Sequence, residues 1–151
     1  MLVKLGKNQV TEYWADLKKA AKLSLPPFAG KREDVMNNLL EQLLSGEVEA
    51  WIIHDVVDAA DGNKNATPVG VLYTTVITDI STQARSLLIY GIYAWAPLNK
   101  DMWLHGYDII VRYAKSKKCT SVSGYTKDEG LLENAKKFGI DTEWRYLVHE
   151  V

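Results

Sequence analysis

Cysteine is nearly absent from this sequence, because Cys119 is the only one among its 151 residues. A single thiol excludes a disulfide within the chain and a zinc site built from several cysteines. The three histidines form no pair at metal-ligand spacing with a carboxylate, and we predict no metal. The low cysteine content fits a reducing compartment, so we expect a cytoplasmic protein.

Long apolar runs and a surplus of one charge are also missing. No run approaches the roughly 20 apolar residues that cross a bilayer, so we expect no membrane partner. Residues 1–7 lack the apolar core of a signal peptide. The formal net charge is -1, which gives no overall field to attract nucleic acid, and we do not expect a nucleic-acid partner.

The residues that are present have the composition of an ordinary globular protein. The sequence is 47% hydrophobic and 25% charged, which is enough to build one substantial core. We therefore predict a single domain over residues 1–151.

Hydrophobic periodicity predicts the element order β-α-α-β-β-β-α-β-α-β. Strands are predicted near Val3 and over residues 49–57, 69–78, 86–95, 120–126 and 142–151. Helices are predicted over residues 10–25, 35–44, 101–117 and 128–138, with Pro26, Gly46 and Gly139 marking helix ends. An antiparallel meander followed by crossovers predicts an α/β (α+β) fold, with a mixed, mostly antiparallel, twisted sheet flanked by about four helices.

The most informative junction lies at residues 94–101, where an apolar strand runs directly into an amphipathic helix. This order places a helix N-terminus at the carboxyl end of an interior strand, the usual place for an anionic ligand in α/β proteins. The glycines that such a junction usually carries are missing. The sequence therefore indicates a position for an anion without a glycine-rich turn around it.

Residues 107–115 (YDIIVRYAK) resemble the pyrophosphate-site helix of the GNAT superfamily of acetyl-CoA-dependent N-acetyltransferases. Residues 131–140, followed by a predicted strand, are similar to the closing helix, glycine and apolar residue of that family. The element order is similar over nearly the whole chain. The resemblance implies a GNAT-like fold, acetyl-CoA as the cofactor, and acetyl transfer to an amine on a small molecule or a protein.

The resemblance also implies which residues surround the cofactor: Trp95, Asn99, Lys100, Met102, Trp103 and Leu104. The amides of residues 99–104 would hold the pyrophosphate, although Asp101 would repel it. The glycine positions of the family's motif fall on Met102 and Leu104, and its leading Arg or Gln falls on Asn99. Residues 102–107 (MWLHGY) are similar to phage-encoded GNAT-like proteins, which implies a divergent member of phage origin.

Two catalytic groups of the family have no counterpart at their usual positions. The tyrosine that acts as an acid in many members falls on Ala135, and residues 86–96 contain no Asp or Glu to act as a base. Tyr125, at the end of the fifth predicted strand, is the best-placed substitute acid, and core packing is its alternative role. Six aromatic residues are expected to converge between the fourth and fifth strands: Tyr73, Tyr90, Tyr93, Trp95, Trp103 and Tyr107.

Two functions remain open at this point. The first is an N-acetyltransferase that moves the acetyl group of acetyl-CoA to an amine. The second is a catalytically inactive GNAT-fold protein of viral origin with a structural or interaction role, which the missing glycines, tyrosine and carboxylate favour. Such a protein is expected to form a homo-oligomer through an apolar patch.

Overall fold

A computed structural model describes residues 1–26, 32–60, 62–144, 147 and 149. Within these residues, a five-stranded sheet has its strands in the order of the sequence. The strands are β1 (Leu2–Lys4), β2 (Val48–Asp58), β3 (Lys64–Thr78), β4 (Arg85–Ala94) and β5 (Ser121–Gly124). β1 to β4 pair antiparallel and β5 pairs with β4 in parallel, which confirms the predicted mixed, mostly antiparallel sheet.

Helices account for most of the remaining described residues. They are α1 (Lys7–Glu12), α2 (Trp14–Ser24), α3 (Arg32–Ser45), α4 (Lys100–Ser116) and α5 (Glu129–Lys137). α1 and α2 replace the single helix predicted over residues 10–25, because the chain departs from helical geometry at Tyr13, with φ -93° and ψ 10°. Periodicity does not reveal this break, since Val10 and Leu17 on either side of it face the same core.

The helix ends follow the local sequence. Asp128 caps α5, where its Oδ1 accepts a hydrogen bond from the Leu131 amide at 2.8 Å. Gly46 and Gly139 lie just beyond α3 and α5 with φ of +86° and +73°, a left-handed conformation that glycine adopts without strain. These three positions confirm the predicted cap and the two predicted helix ends.

Successive side chains along each strand point to opposite faces of the sheet, so the core is divided between the two faces. On one face, strand side chains such as Val71 and Tyr73 pack under α1, α2 and α3. On the other face, Leu87 packs with Ile110 of α4. The Tyr73 hydroxyl donates to the backbone oxygen of Leu17 at 2.6 Å and so ties α2 to β3, and burial raises the pKa of this phenol.

The β2–β3 hairpin is longer than the sequence indicates. β2 and β3 pair with each other as far as Asp58 and Lys64. This part of the hairpin extends past the last pair of β2 with β1 and the last pair of β3 with β4. The polar turn predicted over residues 58–68 is therefore wrong for residues 64–68, which are strand. These residues are exposed, so they carry no alternating apolar pattern from which a strand could be predicted.

The chain after α5 differs from the predicted final strand over residues 142–151. Residues 141–144 have no regular secondary structure, and the Glu143 amide donates to Asp141 Oδ1 at 2.9 Å in a local turn. Residues 145, 146, 148, 150 and 151 of that predicted strand lie outside the described residues. In the described part of the chain, every helix is too short or too polar to cross a bilayer.

We expect the Asp79 carboxyl, in the turn between β3 and β4, to titrate with a pKa of about 2. Its Oδ1 accepts hydrogen bonds from the hydroxyl and amide of Ser81 at 2.7 and 3.0 Å, and from the amide and hydroxyl of Thr82 at 2.8 and 2.9 Å. The Ser81 hydroxyl contributes most to lowering the pKa from 3.8, followed by the Thr82 donors.

Because the folded pKa is below the unfolded one, the contribution of Asp79 to stability is complete above about pH 5 and is lost as the pH falls through the folded pKa of about 2. Carbon-13 NMR of the side-chain carboxyl during an acid titration measures this pKa. A midpoint at the ordinary value of 3.8 would show that these hydrogen bonds do not form in solution.

Candidate functional site

A gap opens in the sheet where β5 ends before β4 does. The two strands pair in parallel from Ser86 and Ser121 to Ile89 and Gly124. β5 stops at Gly124, whereas β4 continues to Ala94. We call the space between residues 90–94 of β4 and the chain that follows Gly124 the β4–β5 gap.

A β-bulge in β4 lies at the start of this gap. Tyr73 of β3 is opposite Gly91, and its neighbour Thr74 is opposite Ile89, so Tyr90 is the extra residue of the bulge. Bulges re-aim the backbone and are frequent beside active sites. The bulge is not among the predicted features, although Gly91 inside an otherwise apolar strand is a known signal for one.

α4 begins at the carboxyl end of β4, on the same edge of the sheet as the gap. Asn99 precedes the helix with extended backbone angles, and its Oδ1 accepts a hydrogen bond from the Met102 amide at 2.9 Å. The Trp103 amide donates to the backbone oxygen of Asn99 at 3.2 Å. Two of the amides predicted to hold a pyrophosphate therefore already have acceptors within the chain.

The side chains of this first turn point in different directions. Met102 is half-buried and packs with Leu98 against the core cluster beneath α4. Leu104 is exposed, and so are Lys100 and Asp101. Met102 thus fills apolar space at a position where a glycine would leave the turn open, while Lys100 places a positive charge at the mouth of the turn.

Comparison with known proteins gives a clear answer for the fold alone. No family model matches this sequence. No curated protein matches it either. Solved structures do match over the whole length, as with a ribosomal-protein-alanine N-acetyltransferase from Brucella melitensis biovar Abortus 2308, at 15% identity, a TM-score of 0.63, and coverage of 100% of this chain and 99% of that one. The chain has the GNAT fold.

Two further structures of this fold are similar to the chain to the same degree. A GNAT family acetyltransferase from Staphylococcus aureus has a TM-score of 0.64 at 9% identity, over 100% of this chain and 98% of that one. A predicted acetyltransferase from Clostridium acetobutylicum, solved with acetyl-CoA, has a TM-score of 0.62 at 14% identity, over 98% of this chain and 95% of that one. The predicted fold is confirmed, whereas the predicted phage origin stays a prediction.

Within this GNAT fold, Trp95 directly follows β4 and is hydrogen-bonded to β3. Its amide donates to the Val69 oxygen and its indole Nε1 donates to the Pro68 oxygen, both at 3.0 Å. Its ring centroid is 6.5 Å from that of Tyr93, and 48% of the residue is exposed. The indole nitrogen thus points toward β3, whereas the gap lies on the other side of β4.

Tyr125 is the residue directly after β5, and it is half-buried. It therefore stands at the β5 side of the gap, across from the part of β4 that follows the bulge. Ala135, at the position of the usual family tyrosine, lies in α5. The role of Tyr125 as the acid stays a prediction, and the residue lies on the opposite side of the gap from Gly91.

The six aromatic residues predicted to converge at the gap do not form a single cluster there. Tyr73, Tyr90 and Tyr93 pack with the cluster under α1, α2 and α3. Tyr107 of α4 instead stacks on Phe138, with ring centroids 6.1 Å apart and planes at 11°. Strand alternation and the path of α4 place these rings on separate faces, which a one-dimensional pattern does not show.

The Glu49 carboxylate is paired with three side chains and lies far from the gap. Glu49 accepts hydrogen bonds from the Tyr113 hydroxyl and from Lys4 Nζ, the latter at 3.1 Å, and lies 3.9 Å from Lys117 Nζ. Burial, and then the Glu49 carboxylate, raise the pKa of Tyr113. Because Tyr113 is about 20 Å along the helix from Asn99, Glu49 is not placed to act as a base at the gap.

Proposed function

We propose that this chain is an N-acetyltransferase that moves the acetyl group of acetyl-CoA to an amine on a small molecule or a protein. The observation that carries the proposal is the start of α4 at the carboxyl end of β4. This helix start lies beside the β4–β5 gap, where β4 extends beyond its last pair with β5. A helix N-terminus attracts anionic groups. The Clostridium neighbour, which has the same fold at 14% identity, was solved with acetyl-CoA.

The residues of the first turn of α4 would hold the pyrophosphate. Lys100 supplies a positive charge, and the amides of residues 99–102 supply the donors directed out of the helix end, because the Trp103 amide is bonded to the Asn99 oxygen within the helix. Asn99 must release the Met102 amide for that donor to take part. Trp103 and Leu104 complete the turn, and acetyl-CoA, when bound, supplies the acetyl thioester.

The transfer requires that one bond form, one break, and one proton move to sulfur. The amine nitrogen bonds to the acetyl carbon, the carbon–sulfur bond breaks, and the nitrogen gives up a proton. We assign protonation of the leaving sulfur to the Tyr125 hydroxyl, because it stands at the β5 side of the gap. General acid catalysis by such a group contributes substantially to acyl transfer.

Release of thiol from acetyl-CoA in the presence of primary amines tests this proposal. A panel containing a lysine peptide, a free amino acid and a linear polyamine covers the main acceptor classes. The proposal predicts thiol release above the amine-free rate for at least one of them. A protein that binds acetyl-CoA and releases no thiol with any member would be a non-catalytic GNAT-fold protein.

One observation favours that second function, a structural or interaction protein with the GNAT fold. The Asn99 side chain caps the turn that a pyrophosphate would occupy, and Asp101 adds a negative charge to it. A protein without the ligand would gain helix stability from both features. Under this alternative, acetyl-CoA produces no heat in a titration, and the protein forms a homo-oligomer at micromolar concentration.

Replacing Asn99 by glycine is expected to tighten acetyl-CoA binding about fivefold, the effect of about 1 kcal/mol for one released amide donor. Glycine at this position costs only a few tenths of a kcal/mol in helix stability. Isothermal titration calorimetry of both proteins measures the difference. Asp128→Gly is the matched control, because it removes the same kind of cap from α5 and leaves α4 intact.

The control variant should bind acetyl-CoA as the unmodified protein does. Weaker binding by Asn99→Gly would show that the Asn99 side chain contacts the ligand itself. That result would contradict the assignment of the Met102 amide as a ligand donor.

A further inference from the structure

The first residues of β3 have an open strand edge beside the end of β4. Residues 64–67 pair with β2, as far as Lys64 opposite Asp58. β4 pairs with β3 only from Gly70, which lies opposite Ala94. In the described part of the chain, no strand continues in line with β4 past that pair. Residues 64–67 are exposed, so another chain can reach the side that faces away from β2, which we call the β3 edge.

The backbone groups directed toward the β3 edge are those of Lys64 and Ala66. The His54 amide donates to the Met1 oxygen, and the His54 oxygen accepts from the Met1 amine, so both groups of His54 face away from β3. Pro68, opposite His54, therefore directs its backbone away from β2. This direction alternates along a strand, so Ala66 offers both an N–H donor and a carbonyl acceptor at the β3 edge.

Trp95 occupies the next position along the same edge. Its amide donates to the Val69 oxygen and its indole Nε1 donates to the Pro68 oxygen, both at 3.0 Å. A strand that pairs with Ala66 in line with β4 therefore meets Trp95, where it must begin or leave the sheet. If that strand is antiparallel to β3, it runs in the direction of β4, and its N-terminal end lies beside Trp95.

We propose that the acceptor is the N-terminal segment of a polypeptide, which adds to the β3 edge as an antiparallel strand. The inference rests on the proposed acetyltransferase function and narrows its acceptor to a polypeptide α-amine. The N–H and carbonyl of Ala66 each bond to the acceptor backbone. The two residues before the paired part turn over the end of β4 into the β4–β5 gap. Two residues span about 7 Å, and neighbouring strands are about 5 Å apart, so the amine reaches the gap.

The transfer then follows the course given above for any amine. The α-amine nitrogen bonds to the acetyl carbon, the carbon–sulfur bond breaks, and the nitrogen gives up one proton while the sulfur receives one. A second copy of this chain does not fit the β3 edge in the same way. Its own β3 follows the turn in which the Ala59 amide donates to the Asn63 oxygen, and an antiparallel pair centred on Ala66 would press that turn against Trp95.

Three coenzyme A conjugates test this docking without catalysis. The first joins sulfur, through an acetyl link, to the N-terminus of the peptide amide Ala-Thr-Val-Thr-Val-Thr. The second carries alanine amide alone. The third carries the same peptide, acetylated at its N-terminus and joined through the side chain of an added C-terminal lysine. We expect calorimetry to give about tenfold tighter binding of the first conjugate than of the other two, the effect of two added hydrogen bonds. Equal affinity of the first and third would overturn the assignment of an α-amine.

Ala66→Pro removes the N–H that faces the β3 edge and leaves the bonds between β2 and β3 in place. It should abolish the preference for the first conjugate over the second and leave the affinity for free coenzyme A unchanged. Val56→Pro is the matched control, because Val56 lies opposite Ala66 and its N–H faces the other side of the hairpin, past the pairs with β1. It should keep the preference. Loss of the preference in both variants would assign it to the hairpin as a whole and overturn the role of the β3 edge.

Two N-methylated forms of the first conjugate supply a test that needs no protein variant. One is methylated at the third and fifth amides of the peptide, and the other at the fourth and sixth. Only every second amide of an added strand faces its neighbour. One of the two forms should therefore lose the preference and the other should keep it. Equal affinities of the two forms would show that the peptide does not bind as a strand.

Titration with free coenzyme A separates the two levels of the argument. If coenzyme A binds and Ala66→Pro retains the preference for the first conjugate, the role of the β3 edge is wrong and the acetyltransferase proposal stands. If the unmodified protein binds neither coenzyme A nor the conjugates, the acetyltransferase proposal fails and the role of the β3 edge fails with it.

Discussion

Replacing Tyr125 by phenylalanine is expected to lower the rate of thiol release from acetyl-CoA about 100-fold, the lower range of what a general acid contributes. The aromatic ring remains, so the half-buried position after β5 stays filled and acetyl-CoA affinity stays unchanged. The change removes the hydroxyl that is assigned as the proton donor at the β5 side of the gap. Steady-state thiol release with an amine that the panel identifies measures the rate, and calorimetry measures the affinity.

Tyr107→Phe is the matched control for this variant. Tyr107 lies on α4, 37% exposed and stacked on Phe138, so the same change removes a hydroxyl outside the gap. Its rate of thiol release should equal that of the unmodified protein. Wild-type activity in Tyr125→Phe would mean that another group protonates the leaving sulfur, and the assigned role would be wrong.

Replacing Gly70 by alanine is expected to destabilise the fold by about 1–3 kcal/mol, as overpacking of a close contact does. A Cβ atom at Gly70 would lie 2.8 Å from the Tyr93 backbone oxygen and 3.1 Å from Ala94 Cα. These are backbone atoms of β4, which cannot rotate away as a side chain would. β4 must shift, and its carboxyl end leads into the turn at Asn99, so acetyl-CoA affinity should fall as well.

Urea denaturation measures the stability change, with Gly106→Ala as the control. Gly106 lies inside α4 and a Cβ atom there meets nothing within 4 Å. Alanine should stabilise this helix position by about 0.5–1 kcal/mol. A Gly70→Ala protein as stable as the unmodified one would show that β3 and β4 are farther apart at this point than the structure places them.

Much of the fold could be predicted because its signals are local. Asp128 is a capping residue in sequence and in structure, and Gly46 and Gly139 follow the helices that they were expected to end. The parallel pairing of β5 with β4 follows from the crossover through α4. Such features depend on a few neighbouring residues, and a single sequence carries them.

The features that were predicted wrongly or not at all depend on contacts between distant residues. The bulge at Tyr90 results from the register of β3 against β4, which side-chain alternation within β4 does not specify. The separation of Tyr73 from Tyr107 follows from the packing of helices on opposite faces of the sheet. The strand at residues 64–68 is paired through its backbone while its side chains are exposed, so hydrophobicity does not indicate it.

The candidate site depends on local sequence signals and also on contacts between distant residues. The sequence predicts a helix start near residue 101, and the structure puts its cap at Asn99 and shows that the Met102 amide is already bonded. It also shows why Met102 takes the place of a glycine, since the side chain packs into the core beneath α4. The open β3 edge at Ala66 depends on where β4 stops pairing with β3, and no pattern in the sequence indicates it.

Calorimetric titration of the unmodified protein with acetyl-CoA, with free coenzyme A as the comparison, tests the central claim most directly. The account predicts binding of one acetyl-CoA per chain at micromolar concentration, through the turn at residues 99–104. Absence of heat at millimolar acetyl-CoA would contradict it, and would leave the non-catalytic role of this GNAT fold as the explanation that agrees with the cap at Asn99.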